Sequence, residues 1–167
     1  MKIYKNIFDE NLHEYLRKLN FKTDTQKIDQ NMVEKHITLS LDNNPVHMNL
    51  ALAKKSHFKR PVVHGPLISS LSTGWIHHIF TCTEYTYPVQ LQQNIKNLTS
   101  LTIGDSICYI FECSEVVLRN EEGRDPYLKV VYEISCFDSN NNEIMKIEWY
   151  IRYYSSDYLL QNNEIDS

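Results

Sequence analysis

Nowhere in the 167 residues do about 18 apolar side chains run together, so no segment has the length that a membrane-spanning helix needs. The opening stretch MKIYKNIFDENLHEYL also lacks an apolar core of signal-peptide length, which leads us to expect a cytoplasmic protein. A basic surplus is missing: 17 Lys and Arg stand against 21 Asp and Glu, and the net charge of −4 offers no global field for nucleic acid or anionic lipid. The four cysteines, Cys82, Cys108, Cys113 and Cys136, form no CxxC pair and no zinc-like spacing. Cys108 and Cys113 fall on opposite faces of any strand that holds both, so we read all four as reduced, small hydrophobes. Low-complexity tracts and internal repeats are absent as well. What is present, 42% hydrophobic and 23% charged residues, suits one folded domain with a core that needs neither disulfides nor a structural metal.

Periodicity then divides the chain. Phe8, Leu12, Tyr15, Leu16 and Leu19 recur at helical spacing behind a capping Asp9, which predicts an amphipathic helix over residues 9–20 as an N-terminal extension covering 1–20. A strand is expected around residues 21–28. A second helix follows around residues 30–40, with Val33, Ile37 and Leu41 on one stripe. Gly65-Pro66 opens GPLISSLSTGWIHHIFT, where proline suits the first helical turn because its missing N–H is not needed there. No Lys, Arg, Asp or Glu occurs from Gly65 to Thr83, so this long helix is expected to be central and enclosed on most sides.

Period two takes over downstream. In EIMKIEWYIRYY, Met145, Ile147, Trp149, Ile151 and Tyr153 alternate with polar residues; YLKVVYEISCF does so through Val130, Tyr132, Ile134 and Cys136. The polar DSNNNE between them predicts a hairpin, and DSICYIFECSEVVLR supplies another long strand. Helices followed by turn-linked strands, without β-α-β alternation, indicate an α+β domain over residues 21–155. The last dozen residues, 156–167, are expected to fray as a tail.

The chemistry gathers at LSLDNNPVHMNLALAKKSHFKRPVVHG. Asn44-Pro45 imposes an extended or turn conformation after Asp42, so Asp42 and His47 cannot share a helical face, but a tight loop can bring them together. A carboxylate and an imidazole within reach of one water form an acid/base pair. Spacing alone favours Asp42 as a cap of the turn or of the helix near Met48 and His47 as a satisfied loop histidine. At Gly65 a helix begins, and its first N–H groups and positive dipole end favour a developing oxyanion; the alternative is a simple turn glycine. His64, His77 and His78 suggest a metal, but His77 and His78 diverge on a helix and no cysteine or carboxylate completes a known spacing, so no metal is expected and His64 is read as fixing the loop by hydrogen bonds. Lys54, Lys55, Lys59 and Arg60 are either a solvated surface run or contacts for phosphates or an acidic carrier.

DNNPVHMN, FKRPVVHGPLISSLSTG and LTSLTIGD together resemble the MaoC-like (R)-specific enoyl-CoA hydratases and (3R)-hydroxyacyl dehydratases, with their D-x-N-P-[ILV]-H and R-P-[IV]-[VA]-H-G segments. The resemblance runs from about residue 25 to residue 154. It implies a hot-dog fold, an antiparallel sheet wrapped around a long central helix, usually dimeric, acting on thioesters of CoA or acyl carrier protein without a cofactor. Carried across, Asp42 and His47 match the catalytic pair, Asn44 the loop-shaping asparagine, Gly65 the backbone donor to the thioester carbonyl, and Thr73 a position where some members have serine near the site. Leu41 stands where glycine frequently precedes the aspartate, and Ser100 replaces a frequent proline. The implied reaction is reversible addition of water to a trans-2-enoyl thioester; a catalytically idle thioester-binding module and a thioesterase on the same scaffold are the competing readings.

Overall fold

A computed structural model describes residues 3–4, 6–82 and 86–155. In chain order its elements are β1 (Ile3–Tyr4), α1 (Glu10–Arg17), β2 (Asn20–Lys22), β3 (Gln26–Lys27), α2 (Gln30–Ser40), a 3-10 turn (Pro45–His47), α3 (Leu50–Lys55), α4 (Gly65–Thr73), α5 (Ile76–Ile79), β4 (Thr81–Cys82), β5 (Thr86–Asn97), β6 (Ser106–Arg119), β7 (Tyr127–Asp138) and β8 (Glu143–Ser155).

Alternation, broken only at Val131 and Ile144, makes the pair of strands β7 and β8. Along β7 and β8 the residues Leu128, Val130, Tyr132, Ile134, Met145, Ile147, Trp149, Ile151 and Tyr153 are all buried, while Lys129, Glu133, Lys146 and Arg152 point the other way. The strands run β2-β6-β7-β8-β5, all antiparallel, and β3 also pairs with β6. Trp149 and Tyr132 face each other across β7 and β8 with no exposed surface. Burying one such large apolar side chain stabilises the fold by roughly 1.5–3 kcal/mol, so this face is the energetic base of the domain. The expected hairpin is there, turned by Asn141 at φ 62°. Burial pushes the Cys136 thiol up to about 12 and the Cys113 thiol well above its usual range, so neither readily gives the reactive thiolate.

The inner sheet face packs against α4 and α5. Leu67, Ile68, Ile76 and Ile79 enter the core, and the buried Tyr109 hydroxyl donates to the Ile68 carbonyl at 2.6 Å. This antiparallel sheet on a central helical segment is α+β and of the hot-dog type. Two expectations about the segment need correction. It is not one helix over residues 65–81 but two, interrupted at Gly74-Trp75, with a short strand at Thr81–Cys82. Nor is it enclosed on most sides: Pro66, Ser70, Thr73, Gly74, His77 and His78 form an exposed stripe. The stripe needs no charge because Ser70 and Thr73 return their hydroxyl protons to the Pro66 and Ser70 carbonyls.

The expected strand over residues 21–28 is two short ones, β2 and β3. Leu41 does not continue the stripe of α2: Val33 is buried, whereas Leu41 is 82% exposed and ends the helix in the left-handed region at φ 60°. The N-terminal α1, capped by Asp9 through a 2.9 Å bond from the Asn11 N–H, packs Leu12 and Leu16 into the common core. Tyr15 fastens it to α5 by donating to the Ile79 carbonyl at 2.8 Å. The expected C-terminal tail, residues 156–167, lies outside the described residues.

Candidate active site

The segment 41–49 turns tightly because its own side chains cap it. Asp42 Oδ1 accepts from the Asn44 N–H at 3.3 Å, Asn44 Oδ1 accepts from the Val46 N–H at 3.3 Å, and Asn49 Oδ1 starts α3 by accepting from the Leu52 N–H at 2.9 Å. Pro45 opens the 3-10 turn that carries His47, and the Val62 N–H donates to the Val46 carbonyl at 3.1 Å. The loop is thereby laid against the segment that leads into α4.

Asp42, His47 and His64 converge: one carboxylate or ring-nitrogen atom from each lies within 4.8 Å of the others. Asp42 is half-exposed, His47 partly buried and His64 only 1% exposed. The His47 Nδ1 lies 2.7 Å from the Val62 carbonyl. A carbonyl can only accept, so Nδ1 carries the proton in the neutral ring and Nε2 is left bare as a base. By the same reasoning His64 donates from Nε2 to the Asp42 carbonyl at 3.2 Å, with the Asp42 carboxylate 3.8 Å away. The His64 ring stacks on His47 at 3.5 Å between centroids and also lies 4.8 Å from the ring of His36 of α2, tilted by 56°. Burial holds the His64 pKa below its ordinary value, against the opposing pull of the Asp42 carbonyl.

Gly65 is the first residue of α4. Pro66 has no N–H, and the Leu67 and Ile68 N–H groups turn back to the His64 carbonyl, so among the described residues the Gly65 N–H is the donor of that turn left without a protein acceptor. The Asn97 carboxamide lies over the Gly65 α-carbon: a Cβ built there would stand 3.0 Å from Asn97 Oδ1 and 3.4 Å from Nδ2. Gly65 and Asn97 border an open cleft of about 300 Å³ with Val62, Ile68 and Ser100.

Thr73 is not brought into this group. It sits at the far end of α4, eight residues or roughly 12 Å along the axis from Gly65, and its hydroxyl bonds to Ser70. His77 and His78 stand exposed on α5, apart from the cluster. In the basic run, Arg60 is engaged with Asp105 at 2.8 Å, tying the Arg-Pro segment to the Gly-Asp segment, while Lys54, Lys55 and Lys59 stay exposed. His36 and Asn97 escape sequence reasoning, since each reaches the site from an element with no motif of its own.

Comparison with known proteins places the chain in a family. The family profile described as "MaoC like domain" matches residues 16–119, more than half of the chain. A mitochondrial 3-hydroxyacyl-[acyl-carrier-protein] dehydratase of Arabidopsis thaliana is 28% identical over 116 residues, 70% of this chain and 63% of the relative. The (R)-specific enoyl-CoA hydratase of Aeromonas caviae is 50% identical over 36 residues, 22% of this chain and 27% of the relative. The chain therefore spans less than two thirds of either curated relative. The solved (R)-hydratase from A. caviae superposes with a TM-score of 0.62 at 23% identity, covering 80% of this chain and 94% of that one. A Mycobacterium tuberculosis protein with a double hot-dog fold superposes with a TM-score of 0.69 at 12% identity, covering 83% of this chain and 42% of that one. The chain belongs to the MaoC-like domain family.

Proposed function

We propose that the protein is a lyase that adds water reversibly to a trans-2-enoyl thioester, giving a (3R)-hydroxyacyl thioester of CoA or acyl carrier protein. The observation that carries this reading is the convergence of Asp42 and His47 beside a helix start whose Gly65 N–H has no protein acceptor. In the hydration direction, the bare Nε2 of His47 takes a proton from a water that Asp42 orients, and the water oxygen bonds to C3. The electron pair moves toward the thioester carbonyl, where the Gly65 N–H steadies the enolate; one such donor is worth about 3 kcal/mol in the transition state. The proton taken from that water is then returned to C2 by the Asp42–His47 pair, so both side chains end as they began and one water has been added across the double bond. The reverse sequence is the dehydration.

The same reading takes the working unit to be a homodimer. β5 is a 12-residue edge strand with no partner on its outer side among the described residues, and Val89, Leu91 and Ile95 are exposed along it, with Leu98 just past its end. Such an edge invites unwanted pairing unless something covers it, and a second copy closes both edges by symmetry. Activity on crotonyl-, octenoyl- and longer enoyl-CoA, with chiral analysis of the product, tests the function. A (3R)-hydroxyacyl thioester supports it. Release of free thiol means a thioesterase, and binding without turnover means an idle module; either outcome overturns it.

A further inference from the structure

We propose that His64 is the positioning residue of this site: its ring, fixed at the start of α4, holds Asp42 and His47 in the arrangement that lets them share one water. The inference rests on the hydratase reading and adds a residue that does not itself touch substrate.

The two sides of the ring differ in rigidity. His64 is anchored by its own backbone: the neighbouring Val63 N–H donates to the Leu101 carbonyl at 2.8 Å, and the His64 carbonyl accepts the N–H groups of Leu67 and Ile68 at 3.1 and 3.3 Å. Asp42 sits in an exposed loop, and its carboxylate accepts from the Asn44 N–H of that same loop, with His64 Nε2 at 3.8 Å. The bond from His64 Nε2 to the Asp42 carbonyl is therefore the direct tie between the loop and α4 at this residue. The same ring supplies the flat surface on which His47 lies, and the His36 ring packs against it at 4.8 Å.

Packing alone would not select histidine here. Nδ1 of His64 is buried with no hydrogen-bond partner, and an unpaired buried acceptor destabilises the fold. Phenylalanine would fill the stack without that cost, and glutamine would reach the Asp42 carbonyl without the ring. Histidine alone among these does both. The titratable neighbours around the ring are Asp42, His47 and His36. In this dry surrounding the ring stays neutral at the working pH, which preserves both the stack and the single donor at Nε2.

The test compares wild type with His64→Ala, His64→Gln and His64→Phe, after a thermal melt confirms folding, by steady-state kinetics on the best enoyl-CoA and by two-bond proton–nitrogen spectra of the histidine rings. His64→Ala should lower kcat by about 10- to 100-fold, as expected when a reacting group is displaced by about an ångström, with KM nearly unchanged. His64→Gln should recover part of the loss and His64→Phe should not. The spectra of wild type should show His47 as the Nδ1–H tautomer and His64 as the Nε2–H tautomer, with the His47 tautomer becoming mixed in His64→Ala. Equal kcat in wild type and all three variants, or an unaltered His47 spectrum in His64→Ala, overturns the proposal. If wild type turns over no enoyl-CoA, the hydratase reading falls on its own, and the spectra still decide whether His64 sets the state of His47.

Discussion

The bond from His47 Nδ1 to the Val62 carbonyl leaves a single nitrogen for chemistry, and the sharp turn that delivers it begins at Leu41. A left-handed backbone at a branched-chain residue is disfavoured by roughly 1–2 kcal/mol, which glycine avoids at some entropic cost in the unfolded chain. Leu41 is 82% exposed and loses no packing on replacement, so Leu41→Gly should raise stability by about 0.5–1 kcal/mol in chemical denaturation. A variant less stable than wild type would mean that Leu41 is held by contacts not visible in a single chain. Gly65 carries the opposite expectation. A methyl group there must displace the Asn97 carboxamide, so Gly65→Ala should reduce kcat/KM by roughly tenfold or more while leaving the melting temperature nearly unchanged. Unchanged kcat/KM would remove Gly65 from the oxyanion site. Of these residues the sequence marks Asp42, Asn44, His47 and Gly65 through their motif spacing. It does not mark Asn97 or His36, because a strand end and a helix face meet the loop only through long-range folding.

The strands were legible because alternation is dictated by a sheet with one buried face, and β7 and β8 follow it with few exceptions over their length. The central helical segment was not, because lack of charge is a weak sign of burial: serine and threonine satisfy their hydroxyls on their own helix and can stand in water. The break at Gly74-Trp75 also escaped a reading based on composition. The exposed edge of β5 carries a direct prediction. Leu91→Lys combined with Ile95→Lys should convert a dimer to a monomer in light scattering, because two charges per copy would be buried without partners. A wild-type protein that is already monomeric at micromolar concentration would contradict the dimer.

Across the molecule, Asp105 and His64 contribute to the acid side of stability. Burial pushes the Asp105 carboxyl up, but bonds from the Thr102 hydroxyl and N–H and the Arg60 guanidinium outweigh it and hold the pKa below its ordinary 3.8. The folded state thus binds fewer protons, and this stabilisation is present above pH 3.8 and lost as pH falls through the lowered value. His64 has the same sign from another cause. Its pKa is depressed from 6.5 by burial, so its contribution is complete above pH 6.5 and declines as pH falls through the folded value. The melting temperature should therefore fall in two stages on acidification, and His64→Gln should remove the first. A single stage in both proteins would contradict this assignment. The chemistry itself rests on a carboxylate and an imidazole acting on one water, and the most direct measurement is enoyl-CoA hydration, followed by loss of enoyl-thioester absorbance, in wild type, Asp42→Asn and His47→Ala. Each substitution should cut turnover by about 10²–10⁴-fold in a folded protein. Full turnover in both variants would contradict the assignment of these two side chains as the acid and base.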